Sequence, residues 1–137
     1  MATRERTIEV LLWTVQTVLA LLFAFAGVMK LTMSAEMLAQ QSGMDGMFLK
    51  FIGLCETLGA LGLILPGLFR IRPGLTGVAA AGLVVIMVGA TVLTVDQGVL
   101  AALVPFVTGC LSALVAWYRW SSATAGRRQL VAELVSQ

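Results

Sequence analysis

The sequence carries one ionisable side chain well inside an apolar stretch, and it is a carboxylate. Glu56 interrupts the run from residue 51 to residue 69, about 8 Å below Phe51 for a helix rising ~1.5 Å per residue. Carboxylates at such depth are costly and normally face a partner or a wet cavity. Lys30, which ends the preceding apolar run, is the obvious partner. Side chains on a helix lean toward its N-terminus, so Lys30 leans into the membrane. Glu56 stands near the start of a helix running the opposite way, and the same lean carries it toward Lys30. Thr57, Thr91, Thr94 and the Ala101 carbonyl that Pro105 leaves without its amide donor share that half of the membrane. Gln16 and Thr17 fall in the other half, and the prediction is an outward-opening polar pocket.

Three chemistries fit this set. In the first, Lys30, Glu56, Thr57, Thr91 and Thr94 hold the polar head of a lipophilic ligand. In the second, Lys30 and Glu56 form an ion pair that fixes helix register, and the threonines bond to their own backbones. In the third, Glu56 works as a general acid or base, although no nucleophile, metal cluster or nucleotide loop accompanies it. The chain has no histidine, which excludes His-ligated haem, His-based zinc and histidine acid–base catalysis. Cys55 and Cys110 lie in apolar runs without a C-x-x-C spacing; they read as small buried hydrophobes, with a disulfide between them left open. No metal site is expected.

The elements that must position these groups are four apolar runs, at residues 10–29, 51–69, 75–95 and 99–118. Each is close to the length of about 20 residues that crosses a bilayer. Only 12% of residues are charged, against about 25% in soluble domains, and mean hydropathy is +0.97. Ala24-Phe25-Ala26 has the small-x-small form of a signal-peptide cleavage site, but the first run exceeds an ordinary signal core, and Glu5 and Glu9 occupy its supposed basic segment. With a net charge of +2 and basic residues confined to segment ends, nucleic acid is not an expected partner.

Positive charge is retained on the cytoplasmic side. Four spans gather Arg4, Arg6, Arg70, Arg72, Arg119, Arg127 and Arg128 at one face and leave Lys30 and Lys50 at the other. Trp13, Trp117 and Trp120 fall near the arginine-rich boundary. The expected fold is an all-α integral membrane four-helix bundle, up-down-up-down, with both ends in the cytoplasm of a cell bounded by that inner membrane. Residues 1–120 form the transmembrane domain. Residues 121–137 form an amphipathic tail, with Leu130, Val131, Leu134 and Val135 at the spacing of a short helix lying on the bilayer. Ser34 is placed to cap a short interfacial helix in the first connection. Gly59, Gly62, Gly77, Ala81, Gly82, Gly89 and Ala90 are the expected packing residues, with Gly82 and Gly89 on one face of the third helix.

Three stretches together resemble the DoxX and DoxX-like family: Phe25-Ala-Gly-Val-Met-Lys30-Leu31, the segment from Gly53 through Glu56, Gly59 and Gly62 to Pro66, and the segment from Ala79 through Gly82 and Met87 to Ala90. The resemblance covers the four spans and omits the tail. It implies a four-helix membrane protein in a family whose founding members are quinone-linked, a DoxX protein being a subunit of thiosulfate:quinone oxidoreductase. Lys30 and Glu56 match polar positions of the family pattern. Many relatives place a histidine where this chain has Thr94, which argues against a proton-relaying histidine mechanism here. The expected function is binding of a quinone-like molecule in an outer-leaflet pocket by a redox-associated subunit. Alternatives are an accessory or scaffolding subunit of a larger membrane complex or homo-oligomer, or a membrane enzyme using Glu56.

Overall fold

Capping chemistry at the connections decides where the helices begin. In the computed structural model, which describes residues 2–136, α1 spans Ala2–Thr32, α2 Ala35–Ser42, α3 Gly46–Leu68, α4 Pro73–Thr94 and α5 Val99–Val135, with a short 3-10 turn at Val95–Gln97 before α5. Ser34 Oγ accepts the Met37 amide at 3.2 Å, so the expected interfacial helix α2 is present, and Gly43 ends it with a φ of 69°. Asp45 accepts the amides of Met47 at 2.7 Å and Phe48 at 3.0 Å. That cap starts α3 ahead of the apolar run at Phe51. Pro73 opens α4, where its missing amide costs nothing.

Four of these helices, α1, α3, α4 and α5, are long and apolar enough to cross a membrane. They form a helical bundle with no strand among the described residues. α1 packs chiefly on α3, α3 on α4 and α4 on α5, while α1 and α5 close the ring. Along each main seam the numbering rises on one helix as it falls on the other. Trp13 meets Gly67 and Gly27 meets Gly53; Gly59 meets Leu83 and Gly62 meets Ala79; Gly77 meets Arg119 and Gly109 meets Met87. Leu19, Phe23, Ala60, Leu63, Leu83, Met87 and Val115 form the shared core.

The outer faces are apolar as well. Leu21, Phe25, Leu58, Val85, Val92 and Val104 are all exposed, a distribution that a water-soluble bundle does not tolerate and that hydrocarbon solvates. The chain is a multi-pass membrane protein. Because lipid tails are as apolar as leucine, cohesion depends on close backbone approach. Among the four long helices the closest backbone approach is at α1–α3, where a Cβ added to Gly27 would sit 2.6 Å from the Gly53 carbonyl oxygen.

Two expectations are corrected. A Cβ at Gly82 or Gly89 would meet nothing within 4 Å, and both glycines are exposed. The buried face of α4 carries Thr76, Ala80, Leu83 and Met87 at helical spacing, which turns Gly82 and Gly89 out of the helix–helix contacts; Gly89 borders the open space between α3 and α4 instead. The tail, in turn, is no separate helix: α5 runs unbroken through Ser121 to Val135. Ser121, Ser122 and Thr124 donate to the carbonyls of Trp117, Tyr118 and Trp120 at 2.8–2.9 Å, so the small polar residues continue the helix where they would otherwise compete with it. Leu130, Val131, Leu134 and Val135 are exposed on this extension; Gln137, the end of the expected tail, lies outside the described residues.

Candidate functional site

At the end of the bundle where α1 stops and α3 begins, Lys30 Nζ donates to Glu56 Oε2 at 2.7 Å. The lean of both side chains toward their own N-termini brings them together as expected, and glycine makes the approach close enough. A Cβ at Gly53 would lie 2.7 Å from Lys30 Cβ, so the lysine stem lies over bare backbone. Glu56 is 3% exposed, whereas the Lys30 side chain keeps 27% of its surface. The carboxylate is thus sequestered, and the ammonium bridges it to the outside.

Beside the pair lies a cavity of about 430 Å³ lined by α1, α3 and α4, with Lys30, Phe48, Cys55, Glu56, Ile86 and Thr94 in its wall. The volume falls in the range of roughly 300–1,000 Å³ that accommodates small organic ligands. Its surface is mostly hydrocarbon.

The threonines divide. Thr94 lines the cavity, its hydroxyl donating to Ala90 O at 2.7 Å with lone pairs left to accept. Thr57 and Thr91 do not line it; Thr57 donates to Gly53 O at 2.8 Å and Thr91 to Met87 O at 2.7 Å. Thr108 donates to Val104 O at 2.7 Å and not to the Ala101 carbonyl, so that carbonyl brings no organised polar group to the site. Cys55 and Cys110 are both free, and Cys110 is exposed instead of buried.

The sequence model of the DoxX-like family matches residues 14–116, from the first turns of the apolar part of α1 to the matching level of α5. The chain belongs to the DoxX-like family. Lys30, Glu56 and Thr94 fall within the matched residues, and so does the whole wall of the cavity. No curated protein and no solved structure matches the chain.

This DoxX-like bundle has a second polar constellation at its other end, one that the sequence did not disclose. Gln16, fully buried, donates from Nε2 to the Leu63 carbonyl and accepts from Arg119 Nε at 3.2 Å. Arg119 Nη1 donates to Glu9 Oε1 at 2.9 Å, and its guanidinium lies 5.6 Å from the centroid of the Trp13 ring. These contacts tie α1, α3 and α5 together. The available signals were Gln16, a lone amide in an apolar run, and the opposite charges of Glu9 and Arg119 at the same end of the bundle. Glu9 and Arg119 lie just outside the family match at either end, so this brace belongs in part to residues the family model does not cover.

Proposed function

We propose that the protein binds the polar head of a lipophilic, carbonyl-bearing molecule of the quinone type between Lys30, Glu56 and Thr94, with the apolar body of the ligand against Phe48, Ile86 and their neighbours. The observation that carries this reading is the cavity of about 430 Å³ set directly against a buried carboxylate whose cationic partner is part-exposed. An ion pair serving only to fix helix register needs no adjoining space. Lys30 supplies the donor that a ligand carbonyl requires, Glu56 keeps the ammonium in place, and Thr94 offers a hydroxyl. In this reading Thr57 and Thr91 brace α3 and α4 and leave the ligand to the other three. In the same reading the spans run up-down-up-down with both ends and the seven arginines on the cytoplasmic side of the inner membrane and the cavity toward the outer leaflet; retention of positive charge on the cytoplasmic side supports it. A molecule of this class makes the protein a redox-associated subunit.

The test is lipid extraction and mass spectrometry of protein purified in nanodiscs, wild type against Glu56→Gln. The wild type is expected to retain a discrete non-bulk lipophile that Glu56→Gln loses. Identical bulk lipid in both would remove the basis of the proposal. A second reading, docking to a larger complex, is favoured by the α5 extension, whose Leu130, Val131, Leu134 and Val135 are exposed. Deleting residues 121–137 without changing the proteins that co-purify would count against it.

A further inference from the structure

The arginine-rich end holds a cavity of about 580 Å³ that the quinone-type site does not use, lined by Glu9, Trp13, Gly67, Arg70, Thr76 and Arg119 among others. Its charges do not balance. Two guanidinium groups face one carboxylate, and that carboxylate is already engaged by Arg119 Nη1 at 2.9 Å. The Arg119 Nε is engaged by Gln16 and its π-face by Trp13. Arg119 Nη2 remains: it is buried, and it is the one buried side-chain polar atom among the described residues with no hydrogen-bond partner. A buried donor on a permanent cation calls for an acceptor, and native interiors supply one from protein, water or a bound ion.

The second guanidinium is placed by the backbone. Arg70 is the one non-glycine residue with positive φ among the described residues, at 52°. The turn is held by Arg70 N donating to Gly67 O at 3.3 Å and Ile71 N to Pro66 O at 3.1 Å. It brings Arg70 into the wall of the cavity that Arg119 also lines. Trp13 and Leu68 give the same cavity an apolar wall, at the end of the spans where headgroups meet hydrocarbon.

We propose that this cavity binds a singly charged phosphate group between Arg70 and Arg119, either the phosphodiester of an anionic phospholipid or inorganic phosphate. The planar guanidinium fork matches phosphate oxygens two at a time, and Arg119 Nη2 is the donor left over for that purpose. One added negative charge neutralises the cavity. Because α1, α3 and α5 converge on Arg119, the bound anion would complete the brace between them.

The experiment is native mass spectrometry of the full chain released from nanodiscs of phosphatidylglycerol mixed with phosphatidylcholine, with inorganic phosphate titrated in parallel against tryptophan fluorescence in phosphatidylcholine nanodiscs. Wild type, Arg70→Gln and Arg119→Lys are compared. Retention of phosphatidylglycerol over phosphatidylcholine is expected for wild type, falling about tenfold in each variant, the scale of one charged hydrogen bond. Arginine-dependent binding of inorganic phosphate alone would support the site and identify a soluble anion as its occupant. Retention of phosphatidylglycerol that is the same in wild type and Arg70→Gln, with no phosphate response, would overturn the proposal. Arg70 is exposed and outside the helices, so that variant keeps the test decisive even if Arg119→Lys fails to fold.

Discussion

Among the described residues each end of the bundle holds one acid–base pair, and the two are built in opposite senses. At the Lys30 end the anion is sequestered, with side-chain exposures of 4% for Glu56 and 27% for Lys30. At the Arg119 end the cation is sequestered, with 13% for Arg119 and 47% for Glu9. Glu56 has one protein partner, a flexible ammonium. Arg119 has Glu9, Gln16 and the face of Trp13. The first arrangement depends on one contact that a ligand can exchange; the second distributes the same task over several groups and three helices. That contrast is the ground for proposing ligand exchange at the Lys30 end, whereas at the Arg119 end the proposed anion would add to a brace already made by the protein.

The sharpest way to break the comparison is Lys30→Met, which strands a buried carboxylate. Removing one partner of such a pair costs about 3–5 kcal/mol, and Lys30→Met with Glu56→Gln should recover most of it. Reversible unfolding in detergent measures both; equal stability of the single and double variants would show that the pair is not coupled. Next in size is Gln16→Leu. It removes a donor to the Leu63 carbonyl and an acceptor from Arg119, and the expected loss is about 1–3 kcal/mol. Retention of the proposed lipophile beside Glu56 should be unchanged in this variant, since the two sites lie at opposite ends of α1. The smallest effect is expected from Glu9→Gln, a half-exposed partner whose loss leaves Arg119 held by Gln16 and Trp13. About 1 kcal/mol or less is expected in the same unfolding assay. A loss as large as that of Lys30→Met would mean that the Arg119 end is no more distributed than the other.

Sequence disclosed the Lys30–Glu56 pair because Lys30 closes one unmistakable span and Glu56 is the lone carboxylate inside the next, and helical lean carries each toward the other. It disclosed α2 through Ser34. The Glu9–Gln16–Arg119 brace was hidden because Arg119 and Glu9 are 110 residues apart in the chain, and the side of the bundle on which α1 meets α5 follows from ring closure and not from any local pattern. The same reason hid the fate of Gly82 and Gly89. Their seven-residue spacing is plain, but only the rotation of α4 decides whether that face meets a helix or lipid. Thr57 and Thr91 share the half of the membrane that holds Glu56, and that alone could not say on which side of their helices the cavity would open.

The unbroken course of α5 joins events in the membrane to events outside it. The 15 residues after Trp120 that remain helical extend about 22 Å at ~1.5 Å per residue. They project beyond Arg119, the last point at which α5 is tied to α1 by Glu9 and Gln16. A change of 10° in the tilt of α5 would move its far end by about 4 Å by the same helical geometry. An anion in the arginine cavity, by completing the hold on Arg119, would damp that swing of Leu134 and Val135.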